Sequence, residues 1–110
     1  MKKHIAILLL LPIGIIAQNQ SIRKAENSFN KGAYVSAIQI FERLANKGLG
    51  SEQIYEKLGD ANYFNANYLI AEQWYSKRYE LKGTFSKEFL YRYSQALKTA
   101  GKNDLANQIM

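Results

Sequence analysis

The sequence contains no cysteine, and its 110 residues include one histidine, His4, and one proline, Pro12. Without cysteine the chain cannot rely on disulfides, and no lipid can be attached to it through a thioether. His4 lies in a segment that we expect to be removed, so the remaining chain has neither Cys nor His. These absences exclude the usual nucleophile–base pairs, the common zinc sites and thiol redox chemistry.

The sequence also lacks an apolar run long enough to span a membrane, which takes about 20 residues. Its longest run, Ile5 to Ile16, has 12 residues and contains Pro12 and Gly14. Two lysines precede this run, and the small residue Ala17 and a polar stretch follow it, as in a secretory signal peptide. We therefore expect residues 1–17 to be cleaved, which leaves an exported protein without a transmembrane span. An uncleaved membrane anchor is the alternative.

Neither basic nor acidic residues are in large excess. The net charge is +6, and 47% hydrophobic with 22% charged residues is an ordinary globular composition. Once Lys2 and Lys3 are removed, 13 basic and 9 acidic residues leave a net charge of +4. Most of the eight tyrosines fall on a packing stripe, so we expect no nucleic-acid partner.

A pattern of tyrosine, alanine and an aromatic residue recurs after 34 residues. The stretches AYVSAIQIF, at residues 33–41, and NYLIAEQWY, at residues 67–75, share the spacing Y-x2-A-x3-[FY]. From Tyr34 onward the apolar residues fall on one helical stripe, and a second helical segment precedes each of these stretches. The pattern predicts helical hairpins of about 34 residues.

Glycines and serines separate these hairpins. Gly48 and Gly83 are placed to close helices in the left-handed conformation, while Ser51, and either Thr84 or Ser86, can cap the helices that follow. The predicted repeats cover residues 18–51, 52–86 and, truncated, 87–110. The fold we expect is all-α, with antiparallel helical hairpins stacked as a solenoid of about two and a half repeats.

The unit resembles the tetratricopeptide repeat, which places small residues, a glycine and aromatics at fixed positions of a 34-residue hairpin. This resemblance implies close helix approach at the small residues and gap filling by the aromatics. The implied packing residues of the first repeat are Ala25, Gly32, Tyr34, Ala37 and Phe41. Those of the second repeat are Gly59, Tyr68, Ala71 and Tyr75. Those of the third repeat are Gly101 and Ala106.

In this family the first helix of each repeat lines a concave groove that binds a peptide or protein. The positions implied for the groove are Glu26, Phe29, Asn30, Glu56, Asp60, Tyr63, Phe64, Tyr91, Gln95 and Lys98. A well-known version of the repeat grips a free carboxylate with Lys and Asn, where the second repeat here has Glu56 and Asp60. An acidic C-terminus is therefore a disfavoured ligand. The alternative for Phe29, Tyr63 and Phe64 is packing between repeats.

Paired carboxylates offer the remaining route to catalysis. Glu52 and Glu56 lie one helical turn apart, and Asp60 continues their face. A solvated helix face explains the same spacing, so we expect no enzyme, no cofactor and no metal. A small hydrolase that uses these three carboxylates is the minor alternative.

The signal segment followed at once by these repeats resembles the N-terminal region of an envelope family in which such repeats precede a β-propeller and an OmpA-like peptidoglycan-binding domain. Some members of that family serve type IX secretion. The resemblance implies a protein-docking scaffold in the periplasm or at the periplasmic face of the outer membrane. Met110 falls in the middle of a predicted helix, so the chain either completes its surface with a partner or is the start of a longer protein. An oligomerisation or spacer module is the other alternative.

Overall fold

A computed structural model of the protein describes the backbone of residues 2–110 and the side chains of residues 14–110. Every regular element in this part is helical, as the all-α prediction required. The helices are α1 (Lys2–Asn30), α2 (Tyr34–Leu44), α3 (Glu52–Phe64), α4 (Tyr68–Glu80), α5 (Lys87–Thr99) and α6 (Asn103–Ile109). A wide helical turn, Ala45–Leu49, extends α2.

The predicted signal peptide falls largely on residues 1–13, which lie outside the described side chains. The backbone of α1 runs without a break past Ala17, so no change of secondary structure marks the predicted cleavage point. Among the described residues, no helix combines the length and the apolar character needed to cross a bilayer.

The helix boundaries are set by the glycines and serines that the sequence offers. Gly48 and Gly83 have φ angles of 80° and 94°, the left-handed conformation that glycine adopts most easily. The hydroxyl of Ser51 accepts a hydrogen bond from the Ile54 amide, and that of Ser86 accepts one from the Phe89 amide. Both glycine predictions and both serine caps are therefore confirmed, with Ser86 rather than Thr84 at the start of α5.

Each helix packs against the next one in the chain, and α3 also contacts α5. Two clusters of buried side chains form the core. The first lies between α1, α2 and α3 and contains Ala25, Ala37, Phe41, Leu44, Ile54 and Leu58. The second lies between α4, α5 and α6 and contains Ala71, Tyr75, Phe89, Tyr93, Ala96, Leu97 and Ala106. The only tryptophan in the sequence, Trp74, packs against the first cluster and stacks on Tyr55 at 6.0 Å.

The small residues of the pattern lie where helices approach closely. Ala25, Ala37, Ala71 and Ala106 are fully buried. Gly59 is needed because a Cβ atom there would lie 2.3 Å from the ring of Tyr75, which itself is fully buried. The spacing of small and aromatic residues thus reflects tight contact between α3 and α4.

The other pattern residues lie nearer the surface. Gly32 and Gly101 occupy turns with φ of 79°. Tyr34 is half-buried, whereas Tyr68 is 39% exposed and meets the ring of Tyr63 at 5.2 Å. At the turn of the second hairpin Ala66 takes the place of the glycine and still adopts a φ of 63°.

The last helix is joined to α4 by a charged contact. Lys102 donates a hydrogen bond to Glu72, whose side chain is 6% exposed. This bond raises the pKa of Lys102, first through the hydrogen bond itself and then through the charge of Glu72. A buried carboxylate is costly unless it is paired, so Glu72 depends on the position of α6.

Candidate functional site

An open groove of about 410 Å³ lies between the end of α3 and the start of α5. We call it the α3–α5 groove. Its lining residues are Tyr63, Phe64, Lys87, Glu88, Tyr91 and Arg92. Three of them, Tyr63, Phe64 and Tyr91, were predicted as groove residues from the sequence. The other three, Lys87, Glu88 and Arg92, are not at positions that the resemblance assigns to the groove, so the sequence did not predict them.

Aromatic rings continue from this groove toward α1. Phe64 meets Phe29 at 6.0 Å, Tyr34 at 5.8 Å and Tyr63 at 5.7 Å between ring centroids. Despite these contacts Phe64 is 43% exposed, and Tyr91, on the other wall of the groove, is 51% exposed. Phe29, Tyr63 and Phe64 therefore pack between the helices, the alternative that the sequence left open, and their role in binding a ligand stays a prediction.

Two cations lie over these rings in equivalent positions. The Lys57 ammonium lies 4.5 Å from the ring centre of Phe29, and the Arg92 guanidinium lies 4.7 Å from that of Phe64. Each cation follows its ring by 28 residues, and the second pair follows the first by 35 residues. We call these four residues the cation–aromatic strip. Such pairs orient a long, flexible side chain at modest energetic gain.

Asp60 lies beneath the groove rather than in it. Its residue is 7% exposed, and its Oδ1 accepts hydrogen bonds from the Tyr75 hydroxyl at 2.7 Å and from Arg92 Nη1 at 3.2 Å. Burial, followed by the neighbouring Asp60 charge, raises the pKa of Tyr75, so the hydroxyl stays protonated and can donate. The structure thus gives the Asp60 carboxylate a contact with Tyr75 and Arg92 inside the chain, and its role in binding a ligand stays a prediction.

Glu56 also points away from the groove, toward a second arginine. Arg78 donates to Glu56 through Nε at 3.3 Å and to the backbone carbonyls of Lys82 and Thr84 at 2.9 and 3.0 Å. Its guanidinium also lies 3.8 Å from Glu52 and 4.7 Å from the ring centre of Phe85. Arg78 therefore holds the α4–α5 loop, a role that the sequence analysis did not predict.

The remaining predicted groove residues lie elsewhere along the first helices. Glu26 accepts a hydrogen bond from Gln53 at 2.6 Å, which connects α1 to α3. Asn30 is exposed at the end of α1, Gln95 is half-buried, and Lys98 is exposed near the end of α5. None of these four residues lines the α3–α5 groove.

The three carboxylates of the hydrolase alternative are each engaged by an arginine. Glu52 and Glu56 share Arg78, and Asp60 holds Arg92. Within residues 14–110, no cluster of three or more Asp, Glu, His or Cys side chains is arranged to hold a metal ion. The structural role of these carboxylates accounts for their position on α3.

The chain was also compared with known proteins. No protein-family model matches it, and neither curated proteins nor solved structures gave a match.

Proposed function

We propose that the protein is an exported, non-enzymatic scaffold of the bacterial cell envelope that docks a protein or peptide segment in the α3–α5 groove. In this proposal its hairpins form a tetratricopeptide-like solenoid, and residues 1–17 direct export. The order of helix contacts along the chain and the recurring alanine and aromatic positions support the solenoid. The basic start, apolar run and small residue at 17 support export.

The observation that carries the proposal is the open aromatic surface of the groove. Phe64 and Tyr91 are about half exposed although apolar burial stabilises a fold by roughly 25 cal/mol per Å². Exposed aromatics in a concave site, beside an arginine, are the residues that dominate protein–protein interfaces. The groove therefore has unused binding surface, since a ligand can cover rings that the fold leaves uncovered.

The charge arrangement supports a role in binding rather than catalysis. The carboxylates on α3 hold Arg78 and Arg92 in fixed positions, so they stabilise the array and shape the groove. A general acid or base would need to present its proton to a substrate. Asp60 instead presents its Oδ1 atom to Tyr75 and Arg92 inside the chain.

The test compares two double variants of the tagged full chain, expressed in native cells and crosslinked before purification. Phe64→Ala with Tyr91→Ala removes the exposed rings of the groove. Val35→Ala with Leu81→Ala is the matched control, because these residues are 58% and 49% exposed and do not line the α3–α5 groove. We expect the first variant to lose the crosslinked partners that the wild type captures and the control to retain them.

Identical partners for all three proteins would contradict docking at this groove. Circular dichroism and thermal melting of each variant check that a loss of partners is not a loss of folding. Detection of the protein in the cytosol alone, with residues 1–17 still attached, would contradict the envelope location.

A second candidate function is self-association at the start of α4. Tyr68, Leu69 and Ile70 are 39%, 58% and 43% exposed, and together with Thr99 they border another groove of about 410 Å³. Analytical ultracentrifugation of the purified chain tests this candidate. A monomer at 100-fold different concentrations would rule it out, while a dimer that Leu69→Ser dissociates would support it.

A further inference from the structure

We propose that the α3–α5 groove and the cation–aromatic strip bind an acidic polypeptide segment that carries an apolar anchor residue, and that they bind it through the interior of the segment rather than through a terminal carboxylate. This inference rests on the proposed function and specifies the chemistry of its partner. The anchor residue contacts Phe64 and Tyr91, and the acidic side chains contact the cations along the strip.

The strip is a repeated structure rather than a chance contact. The same pairing of a ring on one hairpin with a cation on the next occurs twice, as Phe29 with Lys57 and as Phe64 with Arg92. Phe29 and Phe64 meet edge to face at 6.0 Å, which joins the two pairs into one surface across α1, α3 and α5. A ligand that follows this surface meets a ring and a cation at each hairpin.

Arg92 is held in place but keeps donors for a ligand. Its Nη1 atom contacts Asp60 at 3.2 Å, and its guanidinium lies over Phe64. Among residues 14–110, no acceptor lies within hydrogen-bonding distance of its Nε or Nη2 atoms, and its side chain is 27% exposed. A guanidinium fixed in this way loses little conformational entropy when it binds a carboxylate.

The charge open to solvent at the groove favours an acidic ligand. Lys57 and Lys87 form no ion pair with any of residues 14–110. Of the carboxylates close to the strip, Asp60 is buried under Arg92 and Glu56 is directed toward Arg78. Glu88 is the single carboxylate that lines the groove in the described part of the chain, together with Lys87 and Arg92. Complementary charge of this kind increases the association rate and selects the partner.

The groove also favours the interior of a segment. Its exposed walls, Phe64 on α3 and Tyr91 on α5, flank a trough that is open to solvent. A chain terminus would add one charge at one point, whereas Lys57 and Arg92 lie along the strip and Lys87 lines the groove. Acidic side chains on both sides of an apolar anchor match this spread.

The experiment selects ligands from a displayed library of random 12-residue peptides with the purified chain. The enriched peptides are then synthesised with free and with amidated C-termini, and their affinities are measured by fluorescence anisotropy. We expect enrichment of Asp and Glu beside Leu, Phe or Trp, and equal affinities for both kinds of terminus. Because exposed ion pairs are screened by salt, affinity falls as NaCl rises from 50 to 300 mM.

Two lysine variants test which cations matter. Lys57→Gln with Lys87→Gln removes two cations that support no buried pair, and we expect the enriched peptides to bind about fivefold more weakly. Lys47→Gln with Lys77→Gln is the matched control, since both lysines are exposed and belong neither to the groove nor to the cation–aromatic strip. Its affinity should equal that of the wild type.

The outcomes separate this inference from the proposed function. Enriched peptides that are neutral or basic, and that Phe64→Ala with Tyr91→Ala releases, would overturn the inference and leave the docking function intact. Loss of binding on amidation would overturn binding through the interior. No enrichment would overturn both proposals. Tighter binding of a labelled 20-nucleotide dT strand than of any peptide would overturn the polypeptide as ligand.

Discussion

Arg78 and Arg92 make similar contacts at two places along α3, yet their surroundings differ. Each arginine pairs with an α3 carboxylate and lies 4.7 Å from the centre of an aromatic ring. The Arg78 side chain is 5% exposed and donates to one side chain and two loop carbonyls. The Arg92 side chain is 27% exposed and donates to Asp60. The same residue type thus fixes a loop in one place and borders an open groove in the other.

The difference shows how to separate a structural cation from a binding cation in this fold. The Arg78 side chain is 5% exposed and all three of its nitrogen atoms donate to acceptors of the chain, so it has no free nitrogen atom to offer a ligand. Arg92 is fixed from below by Asp60 and Phe64, and its upper side faces the groove. The position of an arginine along the helix does not separate the two roles. The number of its N–H donors that already bond within the chain does separate them.

The largest expected effect on stability follows from replacing Arg78. Arg78→Met keeps the aliphatic packing but removes the donors to Glu56, Lys82 and Thr84. We expect the free energy of unfolding to fall by about 3 kcal/mol, since buried polar groups that lose a partner are costly. Urea denaturation followed by circular dichroism measures the change.

Glu56→Gln is the control for Arg78, because it keeps the shape of the side chain and removes one partly exposed charge. It should cost under about 1 kcal/mol. A loss below about 1 kcal/mol for Arg78→Met itself would contradict the structural role assigned to that arginine. Peptide binding by the folded Arg78→Met protein should match the wild type.

A substitution at Gly59 tests the packing of α3 against α4 next to Asp60, the residue that holds Arg92. In an ordinary helix position Gly→Ala stabilises a protein by up to about 1 kcal/mol. At Gly59 the added methyl would lie 2.3 Å from the rigid, buried ring of Tyr75, so Gly59→Ala should destabilise by about 2 kcal/mol. Thermal melting decides between the two signs, and a raised melting temperature would contradict the close approach of α3 and α4.

Tyr75→Phe sharpens the comparison by removing one of the two donors to Asp60. We expect a loss of about 1.5 kcal/mol at pH 7, because a buried hydrogen bond to a charged group disappears. The variant should also change the dependence of stability on pH.

Burial is the main cause of the raised pKa values of Tyr63, Tyr75 and Tyr93 above the ordinary 10.0. Folding favours the protonated hydroxyl in each case, so this contribution is complete below pH 10 and is lost as pH rises above it. Urea midpoints at pH 8, 10 and 11 should fall less steeply for Tyr75→Phe than for the wild type. Parallel curves would show that Tyr75 does not contribute to the alkaline loss.

The smallest expected effects on stability come from two loop residues, one near Arg78 and one near the α3–α5 groove. Lys82, whose carbonyl Arg78 holds, and Ala66, which follows the groove residue Phe64, have φ angles of 61° and 63°. Lys82→Gly and Ala66→Gly should each raise stability by about 0.5 kcal/mol, because glycine adopts this conformation without a steric penalty. Gly32→Ala, at a φ of 79°, is the reciprocal control and should lose about 1 kcal/mol.

Local features of the fold could be predicted from the sequence. The second repeat was predicted to begin at residue 52, where α3 begins, because Ser51 can cap the helix that follows it. Gly48 and Gly83 were placed correctly, since their conformational freedom is a property of the residue itself. The buried alanines follow from spacing, because small residues recur where two helices must approach.

The charged part of the site could not be predicted in the same way. Asp60 is buried because Arg92, which lies 32 residues further along the chain, and Tyr75 reach it from other helices. Arg78 depends on carbonyls of a loop whose path the sequence does not specify. The spacing placed Tyr68 among the packing residues, yet its side chain is 39% exposed. Its exposure depends on how α3 and α4 pack against each other, which the spacing does not specify.

The location of Trp74 gives this chain a built-in optical reporter. The indole is the only one in the sequence, stacks on Tyr55, and packs with the core of the first two hairpins. It does not line the α3–α5 groove. Its fluorescence therefore follows unfolding without interference from a ligand in the groove, so that a single titration, read at the indole and at a labelled peptide, records stability and occupancy as independent quantities.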